Sequence, residues 1–389
     1  MPKKPTSVAR TQFPPSGSRK NAIRPSSKDA QPPARYLHSD KSREVDSLLD
    51  QAERARSCLV AGSASLRKAL ETRLRGGLLV SPAPRLFVRA QYWGDLTSTQ
   101  RHRHVLLGLG RLHPSWVACG ISAAVAHELQ VPYRLLDGKT HVTGCNKHAK
   151  TWGEIRVHKA SREIEPVMVG GIPVTSVPQT ALDCARLVDA RGGLAIADSA
   201  LRACGMAREE LVDYVEAHGR GLRGITLARE VASMADARSA NGGESITRRV
   251  MHELGYALPD LQVCFADPMD PQRRYYADFV WPHAEGGLVI GELDGVEKYM
   301  DPEMTGPDGL RGAVLRERRR ESRLTITRAA IARFSYAEVL DLGWFDRLLA
   351  TFGVPREREP IVAVPVPRKP RSPEAPAPEL VPLEAYGLD

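Results

Sequence analysis

Acidic residues inside two strand-like segments constrain the fold of this chain more than any other feature of its sequence. The segments 274–282 and 287–299 are rich in β-branched and aromatic residues and are separated by a short turn, a pattern that predicts two paired strands. Asp278 lies in the first segment, and Glu292 and Asp294 lie in the second. Because a buried carboxylate is costly unless it is paired, hydrogen-bonded or bound to a metal ion, these residues require a chemical explanation.

The spacing of these acids favours a metal site. Residues i and i+2 of a strand project to the same face, so Glu292 and Asp294 are predicted to point together, with Asp278 beside them if the strands pair. Carboxylates and water are the ligands that Mg²⁺ (or Mn²⁺) prefers, and the metal keeps open positions for phosphate oxygens. We therefore predict that Asp278, Glu292 and Asp294 hold a divalent metal ion that assists phosphodiester hydrolysis.

Two more residues are candidates for the same chemistry. Lys298 follows the second segment and is a candidate to stabilise the charge that develops on the phosphate. Glu244 begins a predicted helix at 244–255 and is a candidate to reach the metal through a water molecule. The alternative is structural, because six arginines in a predicted helix at 311–323 would neutralise the acids as ion pairs. The acid spacing alone does not decide between these alternatives.

The length and charge of the chain limit its organisation. With 389 residues it has room for two or three domains, and its net charge of +9 favours a polyanionic partner. No apolar run approaches the roughly 20 residues that span a bilayer, and the basic N-terminus lacks the apolar core of a secretory signal. We predict a mixed α/β multi-domain protein of the cytoplasm with no membrane partner.

The pattern of elements divides the chain into five parts. They are a disordered basic arm at 1–45, a winged-helix-like domain at 46–110, a central, mainly α scaffold domain at 111–238, a C-terminal α/β domain at 239–350 and a disordered Pro-rich tail at 351–389. In the central domain we predict a helix at 117–129, weak strands at 141–143 and 154–158, a hairpin at 167–174, and helices from 176 onward. The C-terminal domain is predicted to follow the order α-β-β-β-α-β.

Basic residues mark the winged-helix-like domain as the candidate DNA-binding part. Leu66, Leu70 and Leu74 recur on one face of a predicted helix at 63–77, and two short strands joined by a turn follow it. A basic helix followed by a hairpin is the sequence form of a winged helix-turn-helix. The candidate nucleic-acid contacts in this domain are Arg67, Lys68, Arg73 and Arg85. The alternative is an amphipathic helix with an ordinary solvated face.

The C-terminal segments resemble a nuclease superfamily. Glu244 on a first helix, Ala277-Asp278-Phe on one strand and Gly291-Glu292-Leu-Asp294-Gly-Val-Glu-Lys298-Tyr on the next are similar to PD-(D/E)XK nucleases, in particular to the branch of very-short-patch-repair (Vsr-like) endonucleases. The resemblance covers about 239–345 and implies a restriction-endonuclease-like α/β fold. It also implies that Asp278 and Glu292 hold the metal and that Glu244 is the helix carboxylate.

The resemblance has further consequences for DNA contact and for activity. It implies that the arginine-rich helix lies near the DNA, with Arg316, Arg319 and Arg320 on phosphates. The usual lysine of the superfamily, two residues after the second acid, is replaced by Asp294, so its role is empty or has moved to Lys298. The catalytic histidine of the Vsr-like branch has His283 as its candidate counterpart.

The front of the chain, about 50–230, resembles a second family. The winged-helix-like segment, Gly120-Ile-Ser-Ala-Ala and Gly171-Ile-Pro-Val-Thr-Ser-Val-Pro-Gln-Thr-Ala-Leu-Asp183 are similar to AbiEi-type antitoxin regulators of type IV toxin–antitoxin systems. That family binds promoter DNA and opposes a nucleotidyltransferase toxin, which would be the partner. Two functions therefore stay open: a DNA-binding protein with a Mg-dependent endonuclease domain, and a non-enzymatic antitoxin-like regulator that retains a degenerate nuclease fold.

Overall fold

The computed structural model of the protein describes residues 40–144, 150–159, 164–267, 269–283, 286–294 and 329–365. In these residues helices accompany three β-sheets of three, six and four strands, so the predicted mixed α/β class is confirmed. The contacts between residues divide the chain into two units at Glu44 and Val45. No helix of the described residues is both long enough and apolar enough to cross a membrane.

The first part of the chain builds a small antiparallel sheet with two helices. Its elements are α1 (Asp40–Arg54), β1 (Leu59–Val60), α2 (Ala64–Arg75), β2 (Leu79–Val80) and β3 (Leu86–Arg89). The strand order is β1-β3-β2, and β3 pairs antiparallel with both neighbours. Ser63 caps α2 by accepting a hydrogen bond of 3.1 Å from the backbone N–H of Leu66. The helix and the hairpin predicted here are confirmed.

Two further helices connect this part to the central sheet. They are α3 (Ala90–Asp95) and α4 (Ser98–Leu112). Leu86 of β3 and Leu109 of α4 belong to one hydrophobic cluster with Val157, which lies in the central part of the chain. The predicted domain boundary between residues 110 and 111 therefore falls inside α4, and the hydrophobic core continues across it.

The central part contains a six-stranded mixed sheet. Its strands are β4 (Val117–Ala118), β5 (Thr140–Gly144), β6 (Lys150–Trp152), β7 (Ile155–Lys159), β8 (Val167–Val169) and β9 (Ile172–Val174). They lie in the order β6-β7-β5-β4-β9-β8. The hairpin and the two weak strands are confirmed. Helices hold more of residues 111–238 than strands do, as predicted, but the joining of the short strands into one six-stranded sheet was not predicted. Several of these strands are only two or three residues long, so their sequences give little periodicity to read.

Five helices cover this sheet or follow it. They are α5 (Gly120–Ala126), α6 (Val177–Leu187), α7 (Ala190–Cys204), α8 (Arg208–Gly219) and α9 (Ile225–Met234). The predicted helix at 117–129 is partly wrong, because Val117 and Ala118 pair with β5 as a strand. Gly120 then adopts a φ of 52°, which turns the chain from β4 into α5.

The C-terminal part combines a four-stranded sheet with three helices. Its elements are α10 (Gly242–Glu253), β10 (Asp260–Asp267), β11 (Asp270–Pro282), β12 (Leu288–Asp294), β13 (Ala329–Ser335), α11 (Tyr336–Leu340) and α12 (Leu342–Thr351). The strands follow the order β10-β11-β12-β13, and only the β12–β13 pair is parallel. All elements predicted in the described residues of this domain are confirmed. The predicted arginine-rich helix at 311–323 lies outside those residues.

Buried ion pairs join α10 to the central helices. Arg248 of α10 donates a hydrogen bond of 2.7 Å to Asp198 of α7, and these side chains are 4% and 0% exposed. Glu253, also in α10, accepts hydrogen bonds from Arg249 at 3.0 Å and from Arg191 of α7 at 2.6 Å. Because a buried charge without its partner is strongly destabilising, the C-terminal part depends on the central helices for its stability.

The chain continues to pack after α12. Tyr256 and Arg356 form an isolated β-bridge, and Val362 and Val364 lie partly buried against the core of the C-terminal part. The prediction of a disordered tail from 351 is therefore wrong up to 365, because these apolar residues cover core surface. Residues 366–389 lie outside the described part of the chain, as do residues 1–39 of the predicted basic arm.

Candidate active site

Four polar side chains, one from each strand, cross the C-terminal sheet. We call Gln262 of β10, Asp278 of β11, Glu292 of β12 and Arg333 of β13 the polar row. The β10–β11 register places Gln262 beside Asp278. The β11–β12 register, continued by one residue, sets Asp278 opposite Glu292, and Glu292 pairs directly with Arg333. Two carboxylates from adjacent strands thus lie between a neutral amide and a guanidinium.

Asp278 is oriented by two hydrogen-bond donors. Its Oδ2 accepts from the backbone N–H of Leu293 at 3.0 Å, and its Oδ1 accepts from Nε2 of Gln262 at 3.1 Å. The last backbone pair between β11 and β12 is Phe279 with Gly291. Just beyond it, the Asp278 carboxylate accepts the hydrogen bond of the Leu293 N–H in place of a backbone carbonyl. The acid is therefore built into the sheet as a fixed acceptor.

Glu292 and Asp294 share a guanidinium partner. Glu292 is 5% exposed, and its Oε2 accepts a hydrogen bond of 3.1 Å from Arg333. The Arg333 guanidinium also lies 3.9 Å from Oδ1 of Asp294. The prediction that Glu292 and Asp294 project to the same side is therefore confirmed. Among the described residues, the cation near both acids is Arg333 of β13, which was not predicted as a site residue.

Glu244 is held by donors at the N-terminus of α10. It is 3% exposed, and its carboxylate accepts from the backbone N–H of Ala240 at 2.7 Å, from the amide of Asn241 at 2.7 Å and from Gln262 at 3.1 Å. A carboxylate in the first turn also interacts favourably with the helix dipole. At least three neutral donors therefore hold the Glu244 carboxylate in place.

The predicted three-carboxylate cluster is reduced to a facing pair. Within the part of the chain that the structure describes, no group of three or more His, Cys, Asp or Glu side chains is arranged to hold a metal ion. Asp278 and Glu292 face each other, whereas Asp294 has a side chain that is 43% exposed. Mg²⁺ is commonly bound through one or two carboxylates with water and substrate phosphate, so this pair fits the chemistry of such an ion.

Several predicted site residues lie elsewhere or outside the described residues. His283 lies in the β11–β12 turn, roughly 17 Å along the strand from Asp278 at about 3.4 Å per residue, and its ring is packed against Gly353. The structure therefore does not bring this histidine to the carboxylates. Lys298, Arg316, Arg319 and Arg320 lie outside the described residues.

The predicted DNA-contacting residues of the first part fall into two groups. Lys68 and Arg85 are exposed, and the Arg67 side chain is 53% exposed with Glu71 at 3.6 Å on the same helix. Arg73 differs, because its side chain is 13% exposed and donates hydrogen bonds of 2.6 and 3.2 Å to Asp46. Arg73 joins α2 to α1, so it is a structural residue in this conformation.

Sequence reasoning missed Gln262 and Arg333. Gln262 is a polar residue inside a strand, and Arg333 is the charged residue in the otherwise mostly apolar Ala329–Ser335 strand. The signal that identified Asp278, a polar residue inside a predicted strand, is also present at Gln262 and Arg333. Their partners, however, are distant in sequence and follow only from strand order and register.

A second polar region lies in the central part, where a cavity of about 570 Å³ opens between the sheet and helices α6 and α8. His158 lines it, and its Nε2 lies 2.9 Å from Nδ1 of His141. The ring centroids are 5.1 Å apart with an interplanar angle of 18°, which describes a nearly straight N–H···N hydrogen bond. Burial and the neighbouring His158 lower the pKa of His141 to about 4. These imidazoles satisfy each other and stay neutral at pH 7.

Comparisons with known proteins give little further information. No family model matches the chain, and no solved structure matches it. Two proteins of Mycobacterium tuberculosis, from strains CDC 1551 / Oshkosh and ATCC 25618 / H37Rv, are each 35% identical to this chain over 149 residues, and each is described as an uncharacterized protein. The aligned residues are 38% of this chain and 53% of each relative, so the chain spans about half the length of the curated relatives it matches. The chain is thus similar to two mycobacterial proteins over part of its length.

Proposed function

We propose that this protein binds DNA and hydrolyses phosphodiester bonds at the polar row of its C-terminal sheet, with Mg²⁺ or Mn²⁺ as cofactor. The observation that carries the proposal is the facing pair of Asp278 and Glu292, held on the two inner strands of the sheet, with the guanidinium of Arg333 on the next strand. The order of elements around this pair agrees with the PD-(D/E)XK resemblance of the sequence.

The chain's own residues have distinct roles in this proposal. Asp278 and Glu292 would hold the divalent ion, which when bound polarises a phosphoryl oxygen and lowers the pKa of a bound water. The Leu293 N–H and Gln262 fix the direction of the Asp278 carboxylate. Arg333, whose side chain is 24% exposed, is placed to bind a phosphate oxygen of the substrate.

The first part of the chain would supply DNA affinity. We assign phosphate contacts to Arg67, Lys68 and Arg85, whose side chains are accessible, and we assign Arg73 to the fold. The β1-β3-β2 sheet with α2 before the hairpin agrees with a winged-helix arrangement. Binding through phosphates would make the affinity strongly dependent on salt.

A second function is supported by the ion pair between Arg333 and Glu292. A guanidinium that neutralises a buried acid can replace a metal ion as its counter-charge. The rival proposal is a non-enzymatic, antitoxin-like regulator that keeps the nuclease fold for DNA binding and opposes a nucleotidyltransferase toxin. Promoter footprinting with purified protein tests it, and protection lost when Arg67 and Lys68 are both changed to Ala is its expected result.

Cleavage of duplex plasmid DNA by the full chain tests the nuclease proposal. We expect nicking or cutting that requires Mg²⁺ or Mn²⁺ and that falls by at least about 100-fold in Asp278→Asn and in Glu292→Gln. Asp260→Asn is the matched control, because Asp260 lies on the same sheet with a 77% exposed side chain. Equal cleavage by the wild type and both site variants, or no cleavage by any of them, would contradict the nuclease proposal. The full chain is needed because Arg248 of α10 is paired with Asp198.

A further inference from the structure

Gln262 combines an unusual backbone conformation with a central place in the polar row. Among the described residues, four non-glycine residues have a positive φ, and Gln262, at 50°, is the one of them that lies within a strand. L residues rarely adopt this region, and strain of this kind persists only where the surrounding structure imposes it. The β10–β11 register continues on both sides of Gln262, so the conformation is not the result of a strand ending.

The side chain of Gln262 joins two carboxylates. Its Nε2 donates hydrogen bonds of 3.1 Å to Oε2 of Glu244 and of 3.1 Å to Oδ1 of Asp278. An amide NH₂ group has two hydrogens to donate and carries no charge. The amide oxygen would be repelled by both acids, so the contacts also fix which way the amide points. One neutral side chain thereby sets the separation of the helix carboxylate and the strand carboxylate.

This bridge determines which acids remain available to a cation. Glu244 accepts from Gln262 in addition to Ala240 and Asn241, and these hydrogen bonds hold its carboxylate at the N-terminus of α10. Asp278 keeps one oxygen on Gln262 and the other on the Leu293 N–H, which directs its carboxylate along the sheet toward Glu292. The arrangement therefore separates Glu244 from the facing pair.

We propose that Gln262 is a positioning residue that limits this site to one divalent cation, by holding Asp278 toward Glu292 and by keeping Glu244 from acting as a third ligand. The inference rests on the proposed metal site and adds to it the number of ions and the residue that sets that number. A glutamate at this position would place three carboxylates together and create a second cation site. A glycine would relieve the positive φ but would remove the amide that orients Asp278, while Ala240 and Asn241 would still hold Glu244.

Mn²⁺ binding to the full chain, measured as the loss of free Mn²⁺ signal in electron paramagnetic resonance, tests the inference. We expect one ion per chain in the wild type, one more weakly bound ion in Gln262→Gly, and two ions in Gln262→Glu. The loss of affinity in Gln262→Gly should be about tenfold or more, as is typical when a residue that orients a metal ligand is removed. Gln272→Glu is the matched control, because Gln272 is an exposed residue of β11 and should leave one ion bound.

Thermal unfolding of the same variants separates positioning from mere structural support. Gln262→Gly loses two hydrogen bonds to carboxylates but relieves the strained φ, and these effects oppose each other, so its unfolding temperature should change little although it binds Mn²⁺ more weakly. Mn²⁺-dependent DNA cleavage by this variant should recover when the Mn²⁺ concentration is raised by the same factor by which the Mn²⁺ affinity has fallen.

The possible failures are distinguishable. Wild-type protein that takes up no Mn²⁺ contradicts the proposed metal site, and the inference falls with it. If the wild type binds one ion, the inference is overturned when Gln262→Gly binds Mn²⁺ equally tightly or when Gln262→Glu still binds a single ion. Either result leaves the proposed metal site intact.

Discussion

The central sheet and the C-terminal sheet bury polar groups in opposite ways. Against the central sheet, His102 of α4 and His141 of β5 have hydrogen-bond partners in Ser122 and His158, and burial lowers the pKa of each histidine to about 4. In the C-terminal part Glu244 and Glu292 are buried as hydrogen-bond acceptors, each facing donors supplied by backbone, amide or guanidinium groups. The buried histidines of the central part are therefore neutral, whereas the buried glutamates of the C-terminal part are stabilised by hydrogen-bond donors.

This difference indicates where the protein can bind ions. Neutral imidazoles that are hydrogen-bonded to each other have little attraction for phosphate or for a hard cation such as Mg²⁺. Carboxylates are ligands that such a cation prefers, and Asp278 and Glu292 present two of them from adjacent strands. We therefore place the chemistry in the C-terminal sheet and regard the central sheet as its support.

The largest effect is expected from breaking the buried ion pair between Arg248 and Asp198, which tests whether buried ion pairs stabilise the C-terminal part. Arg248→Ala leaves Asp198 buried without its cation and should lower the free energy of unfolding by about 3–5 kcal/mol. Urea denaturation of the full chain measures it. Arg229→Ala is the control, because the Arg229–Glu216 pair is 46% and 50% exposed and should contribute less than about 1 kcal/mol. Similar losses in both variants would contradict the distinction between buried and exposed pairs.

The second effect tests the neutral state of the central histidines. Because the folded-state pKa of His102 is lowered to about 4, the unfolded chain takes up a proton before the folded chain as the pH falls below about 6.5. Stability is unaffected by this group above that pH and should fall by about 1.4 kcal/mol per pH unit between pH 6.5 and 4.

His102→Gln checks this pH dependence. Glutamine can retain a hydrogen bond to the Ser122 hydroxyl, which lies 2.8 Å from Nε2 of His102, and it does not titrate. Urea denaturation from pH 7 to pH 4.5 should show a shallower loss of stability in the variant than in the wild type. Equal slopes would mean that His102 is protonated in the folded protein, and the contrast between the two sheets would be lost.

A smaller effect is expected from removing Arg333, the positive charge of the polar row. Arg333→Met should lower the free energy of unfolding by about 1–2 kcal/mol in the absence of divalent ions, because Glu292 loses a charged hydrogen-bond donor. Added Mn²⁺ should then raise the melting temperature more in the variant than in the wild type, because the guanidinium no longer competes for Glu292. Arg238→Met, at a 54% exposed arginine, is the control. An unchanged response to Mn²⁺ would favour the regulator over the nuclease.

The smallest effect concerns the basic residues of α2. Lys68→Ala should reduce the slope of log affinity for duplex DNA against log salt by about 0.9, the value expected for one lost phosphate contact. Arg73→Ala should instead lower stability by up to about 1 kcal/mol, through loss of the Asp46 pair, and change the salt slope less. Fluorescence anisotropy at several salt concentrations measures the slopes, and a larger change in Arg73→Ala would reverse the assignment.

Local sequence patterns were sufficient for most elements of the C-terminal part. The helix that contains Glu244 and the strands that carry Asp278 and Glu292 are found where their local sequence patterns predict them. Strand periodicity also predicted that Glu292 and Asp294 lie on one side, and a shared arginine confirms it. These features depend on residues that are close in sequence, so a local pattern contains them.

Longer-range features could not be read in this way. The six-stranded central sheet is assembled from segments as short as Val117–Ala118, which carry almost no periodic signal before they pair. The packing of Val362 and Val364 depends on core surface that becomes available only after the C-terminal helices are in place. The positions of Arg73 and His283 likewise depended on neighbours that are distant in the chain.

The sequence by itself determined that acids lie in the strands of a C-terminal α/β domain, because polar residues at strand positions can be read directly. Only the tertiary structure decided their partners. Strand order and register bring Gln262 and Arg333 to Asp278 and Glu292, and the cap of α10 brings in Glu244. Hydrogen bonds between groups far apart in the chain exist only once the sheet has formed, which is the physical reason why the sequence could name the acids but not the residues that hold them.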